Sequence, residues 1–170
     1  LVILNGDGPL LKPETIRALI EHHRAGKSDL SLGVMKLEDP QGYGRVLQDK
    51  AGRPKAIVEE KEASAKERKI RIVNGGLYAV SRKLLEQVLP KLQASSRTGE
   101  VYLTDIVALA AKAKKKISVF ACAPEELAGV NDLLQLAEAE AVLRKRKIIQ
   151  WIREGVRVEA PECLWTDSDV

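Results

Sequence analysis

Residues 1–7 read Leu1-Val2-Ile3-Leu4-Asn5-Gly6-Asp7, and this stretch decides the fold. Its four apolar residues predict a strand that is buried on both faces and that ends at Gly6. Asp7 then presents a carboxylate directly after the strand. Because ligands bind beyond the carboxyl ends of strands in open α/β sheets, Asp7 is expected where a metal-bound phosphate would lie. An acid without a ligand at a strand end is also common, and this stretch alone leaves both interpretations open.

Strand and helix patterns alternate along the rest of the chain. Apolar residues at helical spacing predict a helix from Pro13 to Gly26 and a long one from Asn131 or Asp132 to Arg153. Shorter helices are predicted after Ser81 and from Asp105. Strands are predicted near residues 30–34, 46–48, 56–58, 72–80 and 117–120, with a further strand-like segment at 156–158. This alternation predicts an α/β fold with a mostly parallel sheet.

The composition argues against several classes of protein. With 45% hydrophobic and 31% charged residues, the chain is expected to be globular rather than disordered. It has no apolar run of about 18 residues and no basic-then-apolar signal, so no membrane association is expected. The net charge of +4 comes from lysine and arginine runs on helical patterns, and only 4% of residues are aromatic. Nucleic-acid binding is therefore not expected.

The cysteines and histidines do not indicate a metal site. Cys122 and Cys163 lack the spacing of zinc ligands, and a reduced, cytoplasmic setting is expected. His22 and His23 are adjacent near the end of the first helix, so they cannot share one helical face. They are expected at the surface rather than as a metal-binding pair.

Three segments combine small residues with one or two polar side chains after a predicted strand. They lie at residues 5–7, 42–44 and 74–76. Glycine at such places lets a ligand approach the backbone closely. Each segment alone is consistent with an ordinary turn. Together they indicate a site for a small polar molecule that is rich in hydroxyls and phosphates.

Six motifs then occur in the order and at the spacing of one enzyme family. They are Leu4-x-Gly-Asp-x-Pro-Leu10, Asp39-Pro-x-Gly-Tyr-Gly-Arg45, Ile57-Val-Glu-x-Lys61, Asn74-x-Gly-x-Tyr78, Gly99-Glu-x-Tyr-Leu-Thr-Asp105 and Gly129-Val-Asn131. The sequence resembles the uridyltransferase domain of the bacterial bifunctional N-acetylglucosamine-1-phosphate uridyltransferases, which also acetylate glucosamine 1-phosphate. The resemblance covers nearly the whole chain.

The resemblance implies a Rossmann-like nucleotide-diphospho-sugar transferase fold. Residues 1–154 correspond to a partial nucleotidyltransferase domain that is truncated at its N-terminus. Residues 155–170 resemble the start of the left-handed β-helix that carries acetyl transfer in the family. Since the chain begins with Leu1 inside a strand, it is expected to be an internal piece of a longer protein.

The resemblance also implies a magnesium site. In the family, the acid that matches Asp7 and the asparagine that matches Asn131 hold Mg²⁺, which prefers hard oxygen ligands from few protein groups. Asn5 and Gly6 belong to the same substrate-binding loop. From the residues alone, a helix N-cap is the favoured explanation of Asn131, and only the family context reverses this preference.

The sugar site is implied in the same way. By resemblance, the backbone at Gly44, the carboxylate of Glu59 and the side chain of Asn74 bind the amino sugar. Tyr102 and Thr104 match positions that line this pocket, and Lys61 matches a position that could neutralise phosphate. The residues alone allow a surface Glu59, a turn at Asn74, a core Tyr102 and a surface salt bridge at Lys61.

The reaction implied is transfer of UMP from UTP to N-acetylglucosamine 1-phosphate, which gives UDP-N-acetylglucosamine and pyrophosphate for cell-wall peptidoglycan and lipopolysaccharide. No catalytic residue beyond the metal ligands is expected, because the attacking phosphate is already ionised. The parent is expected to be a cytoplasmic homotrimer if a β-helix follows. The alternatives are a thymidylyl- or guanylyltransferase, and a non-catalytic regulatory relative that binds sugar nucleotides.

The family's Gly-x-Gly-Thr-Arg-Met loop, which is followed by a lysine and cradles the nucleoside triphosphate, would lie upstream of Leu1. The 170-residue chain by itself is therefore expected to be inactive. A coupled assay with UTP and N-acetylglucosamine 1-phosphate should detect no pyrophosphate release. Release above the background without enzyme would contradict this expectation.

Overall fold

The computed structural model describes residues 1–166 and shows alternating strands and helices. The strands are β1 (Val2–Leu4), β2 (Leu30–Lys36), β3 (Arg45–Gln48), β4 (Pro54–Val58), β5 (Ile72–Val80) and β6 (Ile117–Ala121). The helices are α1 (Pro13–Ala25), α2 (Arg82–Val88), α3 (Ile106–Lys112), α4 (Pro124–Leu127) and α5 (Leu133–Arg153). Single 3-10 turns lie at Glu67–Lys69, Leu89–Lys91, Leu103–Asp105 and Pro161–Cys163.

The chain forms two compact units. The first consists of Leu1–Asn5 and Leu11–Leu127 and contains the sheet. The second consists of Gly6–Leu10 and the chain from Ala128 onward, and it contains α5. In the part of the chain that the structure describes, no helix is both long enough and apolar enough to cross a membrane.

The sheet of the first unit is mixed, so the expectation of a mostly parallel sheet is wrong. Its strand order is β4-β3-β5-β2-β6, with β1 also paired to β5. Among the described residues, β2 and β6 form the parallel pair, while β5 is antiparallel to β1, β2 and β3. The physical reason is the connection: β3 and β4 form a hairpin, and β5 follows without the helical crossover that parallel strands require.

A bulge interrupts the pairing of β5 with β2. Gly33 lies opposite Leu77 and Val34 lies opposite Asn74, so one step along β2 faces three steps along β5. The segment at 74–76 is therefore a bulge inside a strand rather than a loop at its end. A Cβ at Gly33 would lie 2.9 Å from Leu77 Cβ, which explains the glycine opposite the bulge.

Strand β1 is less buried than its apolar sequence predicts. Val2 and Leu4 remain 37% and 45% exposed, which contradicts burial on both faces. Within residues 1–166, β1 has a neighbouring strand on one edge only, where Val2 faces Ala79 and Leu4 faces Leu77. Its side chains therefore keep much of their contact with solvent.

Alternation along the strands divides the core of the first unit between the two faces of the sheet. One cluster joins Leu30, Leu32, Tyr78 and Val80 to apolar side chains of α2 and α3. The other joins Met35, Val73, Leu77 and Ala79 to Leu19 of α1 and Leu127 of α4. Helices thus cover both faces, as an α/β fold requires.

Glu126 of α4 caps helix α1 from outside that helix. Its carboxylate accepts hydrogen bonds from the Thr15 hydroxyl, from Lys12 Nζ at 2.9 Å and from the Lys12 backbone N–H at 3.4 Å. Burial pushes the pKa of Glu126 upward, but these donors outweigh it and leave the pKa below its ordinary value. A carboxylate at a helix N-terminus also interacts favourably with the helix dipole. This contact fixes α1 to α4.

In the second unit, Asp132 caps the N-terminus of α5. The Asp132 carboxylate accepts from the Gln135 backbone N–H at 2.8 Å, and the Gln135 side chain accepts from the Asn131 backbone N–H at 2.7 Å. Arg146 donates to the Leu10 carbonyl at 2.7 Å, which ties α5 to the segment 6–10. Gly155, with φ of +93°, follows the end of the helix as expected.

The predicted strand at 156–158 does not form. Residues 155–160 are irregular and lead into the 3-10 turn at Pro161–Cys163. The β-hydrogen bonds that a strand here would need are absent from the described residues. Within the described residues 155–166, the start of a left-handed β-helix is not seen. The rest of that predicted segment, 167–170, lies outside the described residues, and the boundary between residues 154 and 155 stays a prediction.

The two histidines of α1 are half-buried, which contradicts the surface position expected for them. His22 Nε2 lies 3.1 Å from Ser118 Oγ, and His23 Nδ1 lies 2.9 Å from Ser31 Oγ. Adjacent helical residues diverge by about 100°, and here each ring meets a different strand. Ser28 and Ser31 also bond to Ser118, at 3.1 and 2.9 Å, so five polar side chains form one network between α1, β2 and β6.

The His23 network predicts a pH dependence of folding. Burial is the largest cause that lowers the pKa of His23 below its ordinary 6.5; the neighbouring His22 also lowers it, and Asp29 opposes them. Below pH about 6.5 the unfolded chain then binds more protons than the folded chain. The stability of the first unit should therefore fall as the pH drops from 6.5 toward the lower folded pKa.

Urea unfolding between pH 5 and 8 measures this dependence. His23→Asn keeps a hydrogen-bonding atom near the Nδ1 position but does not titrate, so its stability should change less with pH than that of the parent. Arg24→Gln, an exposed change in the same helix, serves as the control and should retain the parent's pH dependence. Identical pH profiles for the parent and His23→Asn would contradict the assignment.

Candidate functional site

In the second unit, Asp7 and Asn131 lie over the same glycine. The Val130 backbone N–H donates to the Asp7 carbonyl at 2.9 Å, which holds the two segments together. A Cβ at Gly129 would lie 2.9 Å from Asp7 Oδ2 and 3.5 Å from Asn131 Nδ2. Two side chains that are more than 120 positions apart in sequence thus meet beside a position where a side chain would press against the Asp7 carboxylate.

The chemistry of this pair fits a magnesium ion. Asp132 caps α5, so the side chain of Asn131 does not serve as the helix cap that the residues alone allowed. A carboxylate and an amide offer the hard oxygen ligands that Mg²⁺ prefers, and Mg²⁺ commonly takes its remaining ligands from phosphates and water. Among residues 1–166, no group of three or more His, Cys, Asp or Glu could hold a metal. Gly6 and Asp7 are both exposed, so a ligand can reach them.

In the first unit, Gly44, Glu59 and Thr104 meet. The Thr104 hydroxyl donates to Glu59 Oε1 at 2.7 Å. A Cβ at Gly44 would lie 2.8 Å from Ile57 Cγ2 and 3.1 Å from Glu59 Oε2, so the carboxylate rests against the bare backbone of Gly44. Glu59 follows β4, Gly44 precedes β3, and Thr104 lies in the 3-10 turn before α3. The β3–β4 hairpin therefore positions the carboxylate.

Asn74 belongs to the same group. Its backbone N–H donates to the Gly44 carbonyl at 2.8 Å. Its side-chain Oδ1 accepts from the Tyr78 hydroxyl at 2.8 Å and from the Gly76 N–H at 3.2 Å. Asn74 is thus a strand residue at a bulge, and its amide has a defined orientation.

Asn5, which directly follows β1, is connected to this group through Gly76. Its backbone N–H donates to the Gly76 carbonyl at 3.1 Å. A Cβ at Gly76 would lie only 2.3 Å from Asn5 Nδ2, and Gly76 has φ of +68°. Both the backbone conformation and the close approach of Asn5 therefore require glycine at position 76.

A buried arginine supports the segment at 42–44. Arg45 is 2% exposed, and its guanidinium forms an ion pair with Glu60 at 2.7 Å and donates to the Tyr43 carbonyl. Glu60 also accepts from the Gly42 N–H at 3.3 Å. The hydrogen bond from Arg45 lowers the pKa of Glu60, so the pair stays ionised. The sequence motif included Arg45, but spacing alone did not reveal Glu60 as its partner.

Tyr102 and Lys61 form a separate surface cluster. The Tyr102 hydroxyl donates to Glu100 at 2.6 Å and lies 3.0 Å from Thr98 Oγ1, while Lys61 Nζ lies 3.1 Å from Glu100. The hydrogen bond to Glu100 raises the pKa of Tyr102. The structure therefore brings Asn5, Gly44, Glu59, Asn74 and Thr104 together in the first unit, but it does not join the Tyr102 hydroxyl to them.

Sequence reasoning missed one member of the group. Tyr78 is the last residue of the Asn74 motif, but the apolar pattern predicted only that it lies in a strand, not that its hydroxyl bonds to Asn74. Burial raises the pKa of Tyr78 well above its ordinary value, and the charge of Glu59 raises it further. The signal that could have found this residue is its polar hydroxyl in an otherwise apolar stretch, Leu77 to Val80.

Comparison with known proteins identifies the relatives of the chain. The chain is 45% identical over 170 residues to the bifunctional protein GlmU of Anaeromyxobacter dehalogenans and 41% identical over 171 residues to that of Corynebacterium aurimucosum. Each alignment covers all of this chain and 35% of the relative, so the chain spans about a third of the length of these relatives. They confirm the resemblance that the motifs indicated.

Structural comparison agrees at the level of the fold. The apo structure of a UDP-glucose pyrophosphorylase matches with a TM-score of 0.51 at 15% identity, over 68% of this chain and 41% of that one. The sequence model of the family described as nucleotidyl transferase matches residues 1–151. Because this match extends over most of the length of the chain, the chain belongs to the nucleotidyl transferase family.

Proposed function

We propose that the protein carrying this chain transfers UMP from UTP to N-acetylglucosamine 1-phosphate, with release of pyrophosphate. The meeting of Asp7 and Asn131 over Gly129 is the observation that carries this proposal. A carboxylate and an amide at such a position suit a metal-bound phosphate, and family membership limits the chemistry to nucleotidyl transfer.

Asp7 and Asn131 would hold Mg²⁺ through side-chain oxygens. When bound, the ion would supply positive charge to the phosphate oxygens of the nucleotide. The protein's own contribution is to keep the two side chains close together, without a competing hydrogen-bond partner for either among residues 1–166. Asp132 caps α5, so the side chain of Asn131 is not needed for capping. The absence of a side chain at Gly129 leaves room for the Asp7 carboxylate.

Glu59, Asn74 and Gly44 would bind the sugar. Glu59 offers an acceptor, Asn74 offers a polar amide, and Gly44 leaves backbone accessible where a side chain would intrude. Thr104 holds one carboxylate oxygen of Glu59, so the other oxygen has a fixed direction. Fixed hydrogen-bonding groups of this kind suit a ligand with several hydroxyls.

The reaction proposed needs no protein nucleophile. A phosphate oxygen of N-acetylglucosamine 1-phosphate attacks the α-phosphorus of UTP in line, and a new P–O bond forms. The bond from the α-phosphorus to the bridging oxygen breaks, and pyrophosphate leaves with the electron pair. No proton is removed from the attacking group, because a phosphate monoester is largely ionised at neutral pH. The chain's residues therefore act by binding and orienting the substrates.

Further parts of the proposal rest on the family resemblance. They are an acetyltransferase activity in the same protein, a left-handed β-helix domain that carries it, a homotrimeric assembly and a role in the cytoplasm in supplying precursors of peptidoglycan and lipopolysaccharide. Tyr102 and Lys61 remain proposed contacts of the sugar phosphate.

Turnover tests the proposed reaction. The gene product that contains this chain, purified at its encoded length, should release pyrophosphate with N-acetylglucosamine 1-phosphate, Mg²⁺ and UTP. With dTTP or GTP in place of UTP, the rate should be at least tenfold lower. A preference for dTTP or GTP would replace the uridyl specificity by another one, and binding without any turnover would favour a regulatory relative.

Gly129→Ala tests the metal site directly. A Cβ at this position would lie 2.9 Å from Asp7 Oδ2, so the carboxylate must shift from its position beside Gly129. Mn²⁺ serves as a stand-in for Mg²⁺, and its affinity can be measured by water-proton relaxation. The affinity should fall roughly tenfold, because displacing the Asp7 carboxylate weakens one charged contact to the ion.

Gly8→Ala is the matched control, since a Cβ at Gly8 has nothing within 4 Å and should leave Mn²⁺ affinity unchanged. Equal Mn²⁺ affinity for Gly129→Ala and the parent protein would argue against metal binding by Asp7 and Asn131.

A further inference from the structure

We propose that Tyr78 is a positioning residue that turns the side-chain amide of Asn74, so that Asn74 presents its NH₂ group to an acceptor oxygen of the sugar. The inference rests on the proposed function, in which Asn74 binds the sugar, and it adds the chemical direction of that contact. It also assigns a role to a buried hydroxyl that the reaction itself does not use.

The hydrogen bonds of Asn74 determine which end of its amide is available. Oδ1 accepts from the Tyr78 hydroxyl at 2.8 Å and from the Gly76 backbone N–H at 3.2 Å. A backbone N–H can only donate, so a reversed amide would place two N–H groups against each other. Asn74 is half-buried, and within residues 1–166 its Nδ2 donates to no protein acceptor and is not fully buried. The NH₂ group is therefore the end that a ligand can meet.

Tyr78 is suited to hold this orientation. Tyr78 is 2% exposed, and it pairs across the sheet with Leu32 of β2 and with Ile3 of β1. Burial, followed by the nearby charge of Glu59, raises the pKa of the hydroxyl, so the hydroxyl remains a donor at physiological pH. A rigid, protonated phenol is a stronger constraint on Asn74 than a mobile surface group would be.

The bulge makes the contact possible. On a regular strand, residues four apart lie on the same face but about 13 Å from each other. Here Val34 pairs with Asn74 while Gly33 pairs with Leu77, so the intervening residues of β5 are looped out. Asn74 and Tyr78 are drawn together, and the Tyr78 hydroxyl reaches the Asn74 side chain.

The arrangement makes a prediction about the ligand. Asn74 would donate to a hydroxyl or carbonyl oxygen, while the free oxygen of Glu59 would accept from a hydroxyl. A ligand N–H directed at Asn74 would face the NH₂ group and be disfavoured. This donor–acceptor pairing is a criterion for which edge of a sugar can bind here.

Tyr78→Phe removes the hydroxyl and keeps the ring. In the gene product at its encoded length, KM for N-acetylglucosamine 1-phosphate should rise about three- to tenfold, as expected for one lost hydrogen bond. The KM for UTP and kcat should stay within about twofold of the parent values. A purely structural role would lower the melting temperature without this selective rise, and that result would overturn the inference.

Asn74→Asp is the second variant. The Tyr78 hydroxyl and the Gly76 N–H can still donate to the new carboxylate, but an oxygen now replaces the NH₂ group toward the ligand. Binding of N-acetylglucosamine 1-phosphate, measured by calorimetry, should weaken at least tenfold more than in Tyr78→Phe. Retained binding by Asn74→Asp would overturn the inference even if Tyr78→Phe failed to fold.

The two proposals fail in different ways. If the parent protein neither binds nor turns over the sugar phosphate, the proposed function fails. If the parent is active while Tyr78→Phe and Asn74→Asp bind the sugar phosphate as the parent does, only the positioning role fails. The orientation of the amide can also be followed without substrate, because the side-chain ¹⁵N–¹H signals of Asn74 should shift in Tyr78→Phe.

Discussion

The antiparallel pairing of β5 is the constraint on which the first unit depends. β5 lies between β2 on one edge and β1 with β3 on the other, and its residues occupy both core clusters. Its bulge sets Gly75 and Gly76, which lie between the paired residues Asn74 and Leu77, apart from the regular ladder. Leu127 fills the space above Gly75, and Asn5 fills the space above Gly76, so the bulge is packed rather than loose. The polar group at Glu59 and Asn74 is built around this defect in the sheet.

The sequence predicted most elements because their patterns are local. The apolar spacing of α1, the hairpin of β3 and β4, and the long helix α5 each depend on residues within a few turns. The direction of β5 was not local information, since it depends on which strands β5 joins. The same limit applies to His22 and His23, whose serine partners on β2 and β6 lie outside the helix pattern.

The candidate site was accessible to sequence reasoning only in part. Asp7 and Asn131 could be paired only through the ordered motifs of the family resemblance, because no spacing rule connects residues so far apart in sequence. Tyr78 gains its role from its own burial, which makes its hydroxyl a fixed partner of Asn74, and Glu60 gains its role as the partner of the buried Arg45. Tyr102 matches the family motif, but its hydroxyl bonds to Glu100 and Thr98 rather than to the group around Glu59 and Asn74.

The bulge also bears on the order in which the parts of the first unit fold. Asn5 docks on Gly76 and Leu127 docks on Gly75, so residues from both ends of the first unit converge on the middle of its sequence. Closing such distant contacts is slow, because loop entropy is lost before the contacts repay it. The helices can form earlier from local interactions. The arrangement of Glu59, Asn74 and Tyr78 would thus form late in folding, after the sheet has closed around β5.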